Sequence, residues 1–382
     1  MPTSCTINNA RLSDRDGLVQ VEVVDGQIAA IAPMSTAKPA ADALDLAGDW
    51  LSLGGLDLQI NGGLGLAFPD LRSEHQPVLT KIGRYLWEQG VDGFYPTLVT
   101  TAIANIHRAL AVIAASPLYR EPPPQTARIL GVHLEGPCLN PAKRGAHPPE
   151  HLQPLSVETL QQVLGDFAAV VKIMTLAPEL ETGGEAIATL RSQGITVSLG
   201  HSLATAAQAE QAFQQGATMV THAFNAMPPL HHREPGLLGA ALVHPNTWAG
   251  VIADGQHVCP TMLQLLWRAA GDRGLFLVSD ALAPLGLPDG TYPWDSRQIE
   301  VSQGTARLPD GTLAGTTWPL LAGVQNLVNW DVCSPAAAIA AATTAPRQAL
   351  GLPDLQPGQP ASLLRWSSGA TAQLGSWQRL TV

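Results

Sequence analysis

Several short apolar runs in this chain end on side chains that bind cations or move protons. The run 129–135 ends in Glu135, 195–201 in His201, 219–222 in His222 and 275–280 in Asp280. The run 55–61 ends through Gln59 and Asn61, and 248–254 ends in Asp254, with His257 three residues on. Glu135, His201 and His222 make a hydrolytic zinc set, two imidazoles and one carboxylate, with a coordination position left for water. Such a cation lowers the pKa of water toward ~7, within reach of a carboxylate base, and Asp280 is placed for that role. His133 and Glu135 stand at i and i+2, so both point to one face of their strand. Gly136-Pro137 breaks that strand, and the loop after it carries Lys143, Arg144 and His147, which suits an anionic ligand. Each residue also has a bland explanation: Glu135 pairing with Arg144, Asp280 capping a helix, a strand-end His meeting solvent. Together those explanations crowd several ionisable groups without a counter-charge, which is expensive.

Bringing these residues to one place requires a scaffold, and the chain supplies a repeat. Apolar strand, polar strand end, loop and Ala- or Leu-rich helix recur from residue 53 onward. Strands are expected over 55–61, 91–98, 129–135, 170–175, 195–201, 219–222, 248–254 and 275–280. Helices are expected over 76–89, 103–115, 156–164, 184–193, 204–214 and 261–270. This βα repeat predicts an α/β fold, a (β/α)8 TIM-type barrel, whose C-terminal strand ends converge on one mouth. A doubly wound sheet would want a glycine-rich turn after its first strand, and Asn61-Gly62-Gly63 is not one. Before the barrel, 18–24 and 27–32 read as strands about an Asp25-Gly26 hairpin turn. After it, 298–301 reads as a strand, 309–311 as a turn, 314–328 and 334–350 as helices, and 359–382 as short strands. The tail is too small to fold alone. Both ends of the chain are therefore expected to form one small β-sandwich domain, 1–53 plus 351–382, beside a barrel of 54–350.

Composition narrows the function classes. The 382 residues are 46% hydrophobic and 14% charged, which suits a large buried core. A net charge of -10 with no basic block argues against nucleic-acid or anionic-membrane partners. No apolar stretch reaches membrane-spanning length, and the first residues lack the charged and apolar regions of a secretory signal. Cys5, Cys138, Cys259 and Cys333 lie far apart, as expected of reduced thiols in a cytoplasmic protein.

Several segments resemble the N-acetylglucosamine-6-phosphate deacetylases of the amidohydrolase superfamily. They are GLDLQINGG at 55–63, HLEGP at 133–137 with KRGAH at 143–147, LGHS at 199–202 and THAFNAM at 221–227. REPG at 233–236, IADGQH at 252–257, SDALA at 279–283 and LAGT at 313–316 continue the series in family order. The resemblance implies a metal-dependent hydrolysis of the acetamide of N-acetyl-D-glucosamine 6-phosphate, with the galactosamine epimer as the alternative substrate. It implies Glu135, His201 and His222 as metal ligands and Asp280 as general base turned general acid. His257 would hydrogen-bond the substrate and polarise the acetyl carbonyl, and His147 would meet sugar hydroxyls. Asn225, the backbone N–H of Ala226 and Arg233 would bind phosphate, with Arg233 reaching across a homodimer interface.

Where the superfamily often has His-x-His at the end of strand one, this chain has Gln59 and Asn61, poor zinc ligands. They read as vestigial second-metal positions, and the resemblance to the subgroup of these deacetylases with the same Gln-x-Asn pair implies one divalent metal: zinc first, with iron, cobalt or manganese also compatible. Cys138 replaces a common aromatic and should pack as a small apolar group. Ser362 stands where Asp is usual, in the β domain. His75, His107, His151, His231 and His232 read as surface residues, the last two solvated or at the interface. The tryptophans suit packing better than a sugar platform, and the Ala-rich run 336–343 reads as a packed helix.

Overall fold

The computed structural model describes residues 4–37, 43–181, 183–271, 274–368 and 374–380. Gly55–Ile60 pairs in parallel with Val91–Val99, and the sheet continues through Val132–Glu135, Val171–Leu176, Thr196–Leu199, Met219–Val220, Trp248–Val251 and Leu275–Leu277. These are barrel strands one to eight. The rim closes where the Asp280 N–H donates to the Gln59 carbonyl (2.9 Å) and the Asn61 N–H donates to the Ala281 carbonyl (2.7 Å). That closure sets Gln59 and Asn61 beside Asp280.

Side chains alternate as the strand period of two demands. Leu56, Leu58, Tyr95, Ile173, Met219, Phe276 and Val278 form a cluster inside the barrel. Their neighbours Leu134, Met174, Val197, Val220 and Leu277 belong to the larger core between the strands and the helices. Those helices start where sequence allows: Thr205 and Gln208 form a capping box ahead of Ala206–Gln214, and Ser156 caps Val157–Leu164. None of the helices is long and apolar enough to cross a membrane among the described residues.

The chain ends meet as expected. Gln27–Pro33, Val19–Val24, Ser4–Ala10 and Leu44–Asp45 make one sheet, while Trp50–Leu53 pairs antiparallel with Leu363–Ser368, which pairs with Leu374–Arg379. Both sheets feed one apolar cluster that includes Ile7, Val21, Leu51 and Leu363. Asp25 (φ 51°) and Gly26 (φ 72°) make the predicted hairpin turn. Ser362 accepts from Arg379 Nη1 and donates to Asp92 Oδ1, joining the β strands to barrel strand two.

Three expectations are corrected. Residues 285–311 hold more than one strand: Gly290–Trp294, Arg297–Ser302, Thr305–Arg307 and Leu313–Thr316 form a four-stranded antiparallel sheet beside the barrel mouth. The helix expected over 314–328 is therefore strand as far as Thr316, and the helix is Leu320–Asn329. Tertiary contact decides this: the Thr316 N–H donates to the Asp280 carbonyl (3.1 Å), and a Cβ on Gly315 would lie 2.7 Å from that oxygen. The helix expected over 334–350 breaks at Thr343 into Pro335–Ala342 and Thr344–Ala349.

Candidate active site

The barrel mouth opens into a cavity of about 640 Å³, lined by Glu135, His147, His201, His222, His257 and Asp280 among others. That size suits a small-molecule site. Glu135 Oε1 lies 3.2 Å from His201 Nε2 and 3.0 Å from His222 Nε2, and the two imidazole nitrogens are 3.0 Å apart. Two bare imidazole lone pairs at that distance repel unless a proton or a cation lies between them. Ligands about 2.0–2.1 Å from a tetrahedral zinc stand about 3.3 Å from one another, so the triangle fits a divalent cation.

Hydrogen bonds decide which histidines can be ligands. His201 Nδ1 faces the Lys143 carbonyl at 2.8 Å. A carbonyl only accepts, so Nδ1 carries the proton and the Nε2 lone pair is left for a metal. By distance alone, Glu135, His147 and His201 also form a candidate set, their donor atoms within 4.8 Å of one another. His147 differs in its proton. The Thr100 backbone N–H, which can only donate, points at His147 Nδ1 from 3.3 Å. Burial holds His147 down to about 3, so the ring is neutral and its proton sits on Nε2. His147 therefore offers a donor to the cavity, not a lone pair. His222 Nδ1 is buried without a partner among the described residues.

Gln59 and Asn61 both donate hydrogen bonds within the site. Gln59 Nε2 donates to Glu135 Oε1 (3.0 Å) and Asp280 Oδ1 (3.2 Å), and Asn61 Nδ2 donates to Asp280 Oδ1 (2.7 Å). Burial, helped by the Glu135 charge, pushes Asp280 up to about 7. Burial also works to raise Glu135, but the imidazoles of His201 and His222 set against its Oε1 outweigh it and hold the carboxyl well below its usual range. His201 (φ 48°), His222 (φ 29°) and Asp280 (φ 48°) all adopt the left-handed conformation that non-glycine residues avoid. Such strain persists only where surrounding contacts over-determine it, and it clusters at functional sites.

His257 belongs to the same cavity, and its Nδ1 donates to Asp254 Oδ2 at 2.7 Å, both side chains being almost fully enclosed. Asn225 and Ala226 line the cavity half-buried, with the Asn225 amide nitrogen turned onto the carbonyls of His222 and Ala223. Arg233 stays outside, exposed, with Nη1 against His232. Lys143 and Arg144 do not line the cavity either: Lys143 donates to the Met227 carbonyl and Arg144 to the Gly145 and His147 carbonyls, so these cations shape the loop. Glu135 makes no pair with Arg144. Cys138 is buried and its thiol is pushed up to about 12, as a packed apolar group would be.

Sequence reasoning missed the outer wall. Trp294 and Asp295, from the antiparallel sheet, face the cavity, and Arg297 stacks over the Trp294 ring (5.2 Å) while donating to the Ala146 carbonyl (2.8 Å). One tryptophan is thus a cavity residue after all. His151 is half-buried at the cavity, and His107 is half-buried with Nε2 on the Gln162 and Val163 carbonyls. His75 is half-buried too, its Nδ1 accepting from the Arg72 N–H.

No family model matches the chain. It is 36% identical over 358 residues to the N-acetylgalactosamine-6-phosphate deacetylase of Escherichia coli O157:H7, covering 93% of this chain and 92% of that protein. It is 38% identical over 316 residues to the N-acetylglucosamine-6-phosphate deacetylase of Homo sapiens, covering 81% of this chain and 76% of that one. Among solved structures, a mutant N-acetyl-D-glucosamine-6-phosphate deacetylase from Mycobacterium smegmatis, in complex with N-acetyl-D-glucosamine-6-phosphate, matches with a TM-score of 0.86 and 26% identity, over 99% of this chain and 98% of that chain.

Proposed function

Since this chain belongs to the N-acetylglucosamine-6-phosphate deacetylase family of the amidohydrolase superfamily, we propose that it hydrolyses the acetamide of N-acetyl-D-glucosamine 6-phosphate to D-glucosamine 6-phosphate and acetate. The observation that carries this reading is the convergence of Glu135, His201, His222 and Asp280 on one cavity.

Glu135, His201 and His222 would hold one divalent cation, zinc in our reading. When bound, such a cation polarises the amide carbonyl and lowers the pKa of water toward ~7. Asp280, held by Gln59 and Asn61, takes a proton from the attacking water and returns it to the leaving amine. His257, fixed by Asp254 through Nδ1, presents Nε2 to the substrate. His147 donates from Nε2 to a sugar hydroxyl. Asn225 and the Ala226 N–H take the phosphate together with Arg233 of a second subunit. The exposure of Arg233 outside its own cavity supports a homodimer in which it serves the neighbouring site. The four free cysteines support a cytoplasmic setting. The separate apolar cluster of the chain ends supports a division into 1–53 plus 351–382 and 54–350.

Acetate release tests the reading, with metal content measured on the same sample. N-acetylglucosamine 6-phosphate should be turned over far faster than the unphosphorylated sugar. Equal rates on the two sink the phosphate assignment. A clear preference for the galactosamine 6-phosphate epimer, the substrate in the name of the Escherichia coli relative, moves the assignment there.

A further inference from the structure

His133 opens the HLEGP segment. It is 3% exposed, inside the barrel beneath the cavity. Its Nδ1 lies 3.0 Å from the Leu58 carbonyl on strand one and its Nε2 lies 2.7 Å from Thr175 Oγ1 on strand four. The carbonyl can only accept, so Nδ1 carries the proton and, in the neutral ring, Nε2 accepts from Thr175. Thr175 Oγ1 has then spent its proton and accepts from Thr221 Oγ1, 2.7 Å away. Thr221 Oγ1 in turn accepts from Ser198 Oγ at 2.6 Å. One carbonyl thereby sets the direction of consecutive bonds from Ser198 to Thr221, Thr175, His133 and Leu58, crossing five barrel strands.

The members of this relay adjoin the residues of the cavity. Leu58 precedes Gln59, and Thr221 precedes His222. His133 lies two residues before Glu135, and Thr175 is paired with Glu135 in the strand register. Ser198 lies three residues before His201. Gly200 lets the end of strand five rest on the relay: a Cβ there would meet Thr221 Cβ at 2.8 Å and Thr175 Cγ2 at 3.1 Å. Above it stand His201 and His222, whose left-handed backbones need support from their surroundings.

We propose that the Ser198–Thr221–Thr175–His133 relay is a positioning device for the cation site, fixing the strand ends so that Glu135, His201 and His222 keep ligand spacing. It rests on the cation reading of that site. A layer that merely fills the barrel would tolerate valine at 175 or 221, because valine has the shape of threonine without the hydroxyl. The relay would not, because removing one hydroxyl leaves its neighbours unpaired in a buried setting.

The test compares Thr221→Val with Thr221→Ser in the full chain. Zinc affinity is measured on metal-stripped protein by competition with a chelator, alongside kcat, KM and the melting temperature of the apo form. T221V is expected to bind zinc about 10- to 100-fold more weakly, the usual effect of losing an outer-shell partner. Its KM should change little, and T221S should stay close to the parent. The relay is overturned if T221V binds zinc as tightly as the parent, or if T221S is as weak as T221V, which would make the loss one of packing. Should T221V not fold, Thr175→Val against Thr175→Ser is read in the same way. A parent protein that binds no zinc overturns the cation reading itself, a result distinct from failure of the relay.

Discussion

Asn61 Nδ2 donates to Asp280 Oδ1 over 2.7 Å, tying the end of the first barrel strand to the end of the last, 219 residues away. An amide therefore steadies the proposed base at a place where the superfamily often has a metal ligand. Asn61→Leu should lower kcat by about tenfold, the order expected for a buried charge-assisted hydrogen bond, with zinc content unchanged. Asp280→Asn should lower kcat by about 10²–10⁴, the range of general acid–base catalysis. Steady-state kinetics with metal analysis reads both, and full activity in D280N removes Asp280 as the base.

Asp254 holds the Nδ1 proton of His257. In Asp254→Asn the side-chain amide can donate in its place, which moves the ring proton to Nε2 and changes what the cavity meets. Turnover should fall by about 10²-fold with zinc affinity and melting temperature near the parent values. An unchanged rate would show that the tautomer of His257 is immaterial.

Asp57 gives a pH signature in stability. Burial pushes it up to about 7, although its Oδ1 accepts from the N–H groups of Ser279 (3.2 Å) and Gln59 (3.3 Å). In the unfolded chain it titrates near ~4. Between those two values the folded state binds more protons than the unfolded state, so this group makes stability fall as pH rises from about 4 to about 7. Asp57→Asn removes that slope. Melting curves of the metal-free protein at pH 5 and pH 8 should show the variant gaining on the parent at the higher pH; a constant difference refutes the shift.

Arg297 ties the antiparallel sheet to the loop of His147 through the Ala146 carbonyl. Its side chain is 29% exposed, so solvent weakens the bond. Arg297→Ala should raise KM by about tenfold with kcat largely kept, at the low end for a charged hydrogen bond. A fall in kcat with KM unchanged would instead place this wall in the chemical step.

Metal removal separates the cation from the scaffold. Chelation should abolish activity and lower the melting temperature, and zinc add-back should restore both in proportion to bound metal, since a ligand of the folded state stabilises it by mass action. An enzyme indifferent to chelator has no catalytic cation.

The sequence alone determined the barrel and the four residues at the centre of the cavity. Both are local signals: each strand is an apolar run, and Glu135, His201, His222 and Asp280 each close one. The Asp25-Gly26 turn is equally local. What the tertiary structure decided is what each of those side chains meets. That Gln59 and Asn61 are donors, that His147 carries its proton on Nε2, that Asp254 faces His257, and that Trp294 stands in the cavity wall depend on partners from other strands and loops. The misread strand at Leu313–Thr316 has the same origin, since its conformation answers to the Asp280 carbonyl more than to its own residues. Strand period and strand ends are written along the chain; hydrogen-bond direction and proton placement arise only when strands far apart in sequence close into one barrel.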